Sequence, residues 1–288
     1  MIDDYEYRIV TFIDILGFKK IVMDSEKDIN LRNLISNALR YFKKWESSER
    51  WGLKFIEIEE DAQKKTIENF QIDTQTVCTC FSDSIVISVK VTEGKLNETF
   101  STLIANIADM GNFLLRKGIL IRGGITVGNL YHDENGVVYG SALIESYNLE
   151  STTAIYPRII LSKRLIDSLN YPLVRKADRY PYHQYISRFN DGCVGFHQMT
   201  VLQVAQNSSV ITQEALKKRL RESKSTIIKG LDDNFDNPNV FKKFQWLRDE
   251  YNKLIILDNC YEKIYDTEIA DPRHNIHYSY INELRSKN

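Results

Sequence analysis

The 288-residue sequence has no apolar run approaching the ~18 residues that cross a bilayer. Asp3, Asp4 and Glu6 crowd its start, where a signal peptide would carry basic and then apolar residues. A cytoplasmic protein with no membrane partner is expected. Net charge is nearly absent as well, at -1 from 38 Lys and Arg against 39 Asp and Glu. Nothing global therefore draws the chain to nucleic acid, and a small phosphorylated ligand met by a local cluster suits it better. The four cysteines, Cys78, Cys80, Cys193 and Cys260, form no C-x-x-C pair. Disulfides are not expected, and Cys78 and Cys80 read as buried thiols alternating on one strand. Of His132, His183, His197, His274 and His277, only His274-x-x-His277 approaches a metal spacing, and no His or Cys nucleophile is evident.

What the chain does have is the stretch Phe12-Ile13-Asp14-Ile15-Leu16-Gly17-Phe18, closing an apolar, β-branched run over 8–16. Such a run predicts a strand buried on both faces, and a bare carboxylate near its end is costly unless something positive meets it. A divalent metal is the natural candidate. Gly17 breaks the strand and a helix begins at Lys19, so the backbone N–H groups nearby would suit a phosphate. Taken alone, Asp14 also fits an ordinary helix cap. A second acid, Asp83, stands in Phe81-Ser82-Asp83-Ser84 between strand-like runs at 76–81 and 85–89, and reads as the tip of a tight hairpin.

Elsewhere, helical spacing of apolar residues predicts core helices over 30–45, with Asp28 or Asn30 as cap, and over 96–117. The polar region 46–69 reads as an elaborated loop or edge hairpin. Residues 119–128, Ile-Leu-Ile-Arg-Gly-Gly-Ile-Thr-Val-Gly, predict a strand whose paired glycines admit a backbone or a ligand, with Arg122 just ahead of them. A helix over 140–150, a strand over 156–161 and a helix over 163–169 follow, then amphipathic helices over 212–231 and 240–257 and a polar tail over 258–288. The basic residues Lys217, Lys218, Arg219, Arg221 and Lys224 read as a solvated helix face. The element order predicts an α+β fold, a mainly antiparallel sheet with helices on one face. Residues 1–165 are expected to form the principal domain and 166–288 a largely helical extension.

Asp14, Asp83 and Arg122 thus come from three strands that would be neighbours. Converging carboxylates bind Mg²⁺ or Mn²⁺, and a guanidinium takes phosphate charge. In order and spacing the chain from Arg8 to Leu161 resembles class III nucleotidyl cyclases. Residues 12–18 resemble the signature F-x-D-I-x-G-F, Ser82-Asp83 stands at the G-D hairpin, and residues 122–128 are similar to R-x-G-I-x-x-G. Residues 140–150 match the helix ending in L-E. The resemblance implies a ferredoxin-like (palm) sheet and a homodimer with sites at its interface. It also implies two divalent cations, Mg²⁺ or Mn²⁺, held by Asp14, Asp83 and the Ile15 carbonyl. The triphosphate would lie on the backbone of Leu16, Gly17 and Phe18, contacted by Arg122.

The departures carry weight too. The family's transition-state Asn and Arg positions fall on Ile144 and Asn148, leaving Arg158 as a substitute guanidinium. Its base-reading positions fall on Thr79 and Val137, which match neither adenine nor guanine specificity. A pyrimidine substrate, as for the uridylate and cytidylate cyclases of bacterial antiphage signalling, is therefore an option. The expected function is conversion of a nucleoside triphosphate to a 3′,5′-cyclic mononucleotide and pyrophosphate. A catalytically degenerate nucleotide-sensing or partner-binding module and a palm-like nucleotidyltransferase making an oligonucleotide are the alternatives.

Overall fold

A computed structural model of the chain describes residues 4–43, 75–172, 180–206, 211–255 and 263–264. The chain divides into two compact units, Met1–Val204 and Ala205–Asn288.

The first unit is built on β1 (Glu6–Leu16), whose β-branched run is buried along both faces, as the sequence predicts. β1 is followed by α1 (Phe18–Ser25) and α2 (Ile29–Lys43), then by β2 (Thr76–Phe81) and β3 (Ser84–Lys90). The Asp28 carboxylate accepts from the N–H groups of Asn30 and Leu31, capping α2. α3 (Leu96–Arg116) then leads to β4 (Leu120–His132). β1 pairs antiparallel with β3 and β4, and β2 with β3. The order β2-β3-β1-β4 makes two interleaved β-α-β units, the ferredoxin-like or palm arrangement of an α+β fold.

The sheet continues beyond that core. β6 (Arg158–Leu161) runs parallel to β4, β8 (Val194–His197) antiparallel to β6, and β7 (Ser187–Arg188) antiparallel to β8. β5 (Val138–Tyr139) pairs off the end of β4. Among the described residues the result is a mixed, mainly antiparallel sheet of eight strands. β7 and β8 thus join the sheet through β6.

Helices lie against both faces of the sheet, α3 on one and α4 on the other. α3 buries Phe100, Leu103, Ile104 and Ile107. Its Gly111 approaches Ile121, the cross-strand partner of Ile15, on the face that carries Ile9 and Ile13. α4 (Ser141–Asn148) lies on the other face, where Ala142 clusters with Val10, Val86 and Leu130. The reason is in β1 itself: Ile9, Ile13 and Ile15 make one face apolar, and Val10 and Phe12 make the centre of the other apolar, so each needs a cover. Removing one such side chain from water contributes about 1.5–3 kcal/mol. α5 (Lys163–Ser168), capped by the Ser162 hydroxyl, and α6 (Thr200–Gln206) follow along the chain.

The second unit holds α7 (Gln213–Asp233), capped by Thr212, and α8 (Pro238–Ile255), in the places the sequence predicts. They pack closely where Gly230 meets the Phe244 ring. The expected hairpin at 46–69 lies outside the described residues. So does the tail 258–288 with His274 and His277, apart from 263–264.

Candidate active site

The register of the sheet sets the first members of the site. Asp14 stands opposite Arg122 on β4 and opposite Ser84 on β3. Pairing of Phe81 with Ser84 leaves Ser82-Asp83 as a two-residue hairpin loop, with Ser82 in the left-handed region at φ 57°. The Asp83 carbonyl accepts from the Ile15 N–H at 3.0 Å, tying the hairpin tip to the end of β1. Just beyond Ile15 and Leu16, Gly17 takes φ 75° and turns the chain into α1 at Phe18. That helix start has no side-chain cap. Asp14, Asp83, Arg122 and an uncapped helix N-terminus therefore lie at one end of the sheet.

A fourth member, Glu150, was not assigned a role from the sequence. α4 does not end at Asn148 but continues into a π-helical turn, Leu149–Thr153. That turn carries Glu150 into the interior, where its side chain is 4% exposed. The approach is possible because residue 124 is glycine. A Cβ there would lie 2.5 Å from the Ser146 carbonyl oxygen and 3.2 Å from the Glu150 nitrogen. Arg122 Nε donates to Asp14 Oδ2 at 3.0 Å and lies 2.7 Å from Glu150 Oε1. The N–H points at Asp14, and Glu150 Oε1 accepts no hydrogen bond. Burial pushes the Glu150 carboxyl up to about 7; Arg122 opposes the shift, while the charges of Asp14 and Asp83 add to it.

The remaining sequence candidates are placed differently. Thr79 is buried, with Oγ1 2.8 Å from His132 Nε2, while His132 Nδ1 meets Ser88 Oγ at 2.8 Å. Gly136 of the β4–β5 turn packs over the Thr79 side chain. Val137, beside it, is half exposed, and its N–H donates to Asp133. Asn148 and Ile144 are both exposed on α4. Arg158 is 2% exposed and points to Asp191, with its guanidinium over the Phe189 and Tyr156 rings. His132 in the Thr79 contact and Asp191 in the Arg158 pair come from distant parts of the chain.

The donor set suits a hard divalent cation. Asp14, Asp83 and Glu150 carry three formal negative charges against the single charge of Arg122, leaving a surplus of two. Among the described residues no group of three or more His, Cys, Asp or Glu side chains is placed to hold a metal ion by itself. A site of one or two carboxylates completed by substrate phosphates, as Mg²⁺ favours, needs none. Asp14, Asp83 and the Ile15 carbonyl remain the residues that would hold such ions. Among the described residues no helix is long and apolar enough to cross a membrane.

By sequence, no protein family and no curated protein matches the chain. Among solved structures it is similar to the catalytic core of a rhodopsin-guanylyl cyclase with converted specificity in complex with ATPalphaS. That match has 18% identity over 59% of this chain and 83% of the other, with a TM-score of 0.35. It is also similar to the monomeric guanylyl cyclase domain of the RhoGC fusion protein from the aquatic fungus Blastocladiella emersonii. There the identity is 17% over 67% of this chain and 94% of the other, with a TM-score of 0.38.

Proposed function

We propose that the chain is a metal-dependent nucleotidyl cyclase. The observation that carries this reading is the meeting of Asp14 and Asp83 at the β1 end and the β2–β3 hairpin tip, with excess negative charge and an uncapped helix start beside them. In the reaction, the ribose 3′-hydroxyl oxygen forms a bond to the α-phosphorus. The bond from that phosphorus to the bridging oxygen breaks, pyrophosphate departs and the hydroxyl proton leaves to solvent. Divalent cations at Asp14, Asp83 and the Ile15 carbonyl would supply activation of the hydroxyl and neutralisation of the triphosphate. The chain's own part is to bind and orient. The backbone of Leu16, Gly17 and Phe18 offers N–H groups to phosphate oxygens, and Arg122 adds a guanidinium at the same end.

Base selection is part of the proposal. Neither Thr79, whose hydroxyl is engaged by His132, nor the apolar Val137 presents a charged reader for a purine. A pyrimidine nucleotide, the option that these two positions leave open, is the substrate we favour. We also propose that the active form is a homodimer, because Phe81, Val137, Tyr139, Ile144 and Tyr147 are large apolar side chains left exposed.

The decisive experiment incubates purified protein with Mn²⁺ and, separately, ATP, GTP, CTP and UTP, with products identified by mass. A cyclic product that Asp14→Asn and Asp83→Asn both abolish supports the reading; activity retained in both variants overturns it. Linear dinucleotides would indicate nucleotidyl transfer between two molecules instead. A second reading, nucleotide binding without turnover, is favoured by Ile144 and Asn148 on the exposed side of α4, where neither supplies a guanidinium. Binding of a triphosphate with no product in any of the four reactions is its signature.

A further inference from the structure

We infer that Glu150 is a positioning residue: it is the second seat for Arg122, to which the guanidinium passes when a divalent cation takes its place on Asp14. The inference rests on the cation reading of Asp14 and Asp83 given above.

The argument begins with a conflict of charge. Arg122 Nε–H donates to Asp14 Oδ2 at 3.0 Å, so one lone-pair direction of the carboxylate is already filled. A cation binding to Asp14 would sit beside a fixed guanidinium, and like charges a few ångströms apart in a partly buried site repel strongly. Either the cation is weakened or the guanidinium moves. A destination lies within reach, because Glu150 Oε1 is 2.7 Å from the same Nε yet accepts no hydrogen bond from it. A small rotation of the guanidinium would turn the N–H from Asp14 to Glu150.

Glu150 is suited to that role in two further ways. Its carboxylate is almost wholly buried, a costly place for an acid that lacks a hydrogen bond at one oxygen, and an incoming guanidinium would remove that cost. It is also held on a rigid support, since the π-helical turn packs backbone to backbone against Gly124. Such turns recur at functional sites. With Arg122 on Glu150, those two charges cancel, and Asp14 and Asp83 are left to match one divalent ion.

The test uses the full chain without nucleotide. Mn²⁺ affinity is measured by calorimetry for the wild type, Asp14→Asn, Glu150→Gln, Arg122→Gln and the Glu150→Gln/Arg122→Gln double variant. In parallel, the Arg122 Nε–H resonance, assigned by its loss in Arg122→Gln, is followed by NMR as Mg²⁺ is added. Expected are loss of binding in Asp14→Asn and a drop of about tenfold in Glu150→Gln, shrinking to less than about threefold once Arg122 is also removed. The wild-type Nε–H signal should shift on saturation with Mg²⁺ while staying protected from exchange. Cation binding at Asp14 with no change in that signal would overturn the inference alone. Equal Glu150→Gln effects with and without Arg122 would also overturn it alone. Mn²⁺ affinity unchanged by Asp14→Asn would overturn the cation reading and this inference together.

Discussion

Arg158 and Asp191 form a two-point pair: Nη1 donates to Oδ1 at 3.1 Å and Nη2 donates to Oδ2. The partners differ sharply in setting, with the arginine side chain 2% exposed and the aspartate 45%. The hydrogen bond from Arg158 holds the Asp191 carboxyl below its ordinary range. Removing either partner therefore has unequal consequences. Asp191→Asn takes the counter-charge from a buried guanidinium and should cost about 3 kcal/mol, whereas Arg158→Met leaves an acid in water and should cost about 1 kcal/mol. Urea unfolding of the two variants checks the order.

Glu150 makes stability fall as pH rises in the metal-free protein. Its carboxyl is raised from 4.5 to about 7 in the fold, so the folded state holds a proton that the unfolded chain has released. The contribution is fully present below pH 4.5 and is lost as pH rises through 7; a shift of this size corresponds to about 3 kcal/mol. Glu150→Gln cannot titrate. In EDTA, the difference in unfolding free energy between this variant and the wild type should therefore change in the variant's favour between pH 4.5 and 7. A constant difference over that window would show that the carboxyl is not raised.

Ser82 sits in the left-handed region at φ 57°, at the first position of the loop that presents Asp83. A side chain there costs about 1–2 kcal/mol relative to the right-handed region, and glycine is free of that cost. Ser82→Gly should stabilise the protein by about 0.5–1 kcal/mol after the larger entropy of its unfolded chain is allowed for. Ser82→Val should destabilise it, since a β-branched residue fits this conformation worst. Denaturant unfolding of the pair measures both signs.

These residues also show what a sequence reveals and what it hides. The strand carrying Asp14 was legible because its apolar run is long and β-branched, and the Asp83 hairpin because two such runs flank a loop of the right length. The apolar centre of the other face of β1, Val10 and Phe12, was legible as well. Glu150 was not: a glutamate at the end of an amphipathic helix reads as solvated, and only the π-helical turn brings it inward. The Arg158–Asp191 pair spans 33 residues and the Thr79–His132 contact 53, separations at which no periodicity connects the partners. Charge pairs made by tertiary packing leave no local signal.

Gly124 is the position where this packing can be tested most directly. A Cβ there would meet the Ser146 carbonyl oxygen at 2.5 Å and the Leu149 Cβ at 2.6 Å, neither of which belongs to a flexible side-chain end. Gly128, four residues along the same strand, makes the control: its Cβ would meet Arg164 Nη1 at 2.8 Å, the tip of a half-exposed side chain that can move aside. Gly124→Ala should therefore cost about 1–3 kcal/mol, the usual range for overpacking, and Gly128→Ala well under that. The effect should reach the site, because the same backbone carries Glu150. Displacing the turn separates Glu150 from Arg122, so Gly124→Ala should reproduce the weakened Mn²⁺ affinity of Glu150→Gln, while Gly128→Ala should bind as the wild type does. If Gly124→Ala loses stability but keeps full affinity, the turn supports the fold without positioning the site.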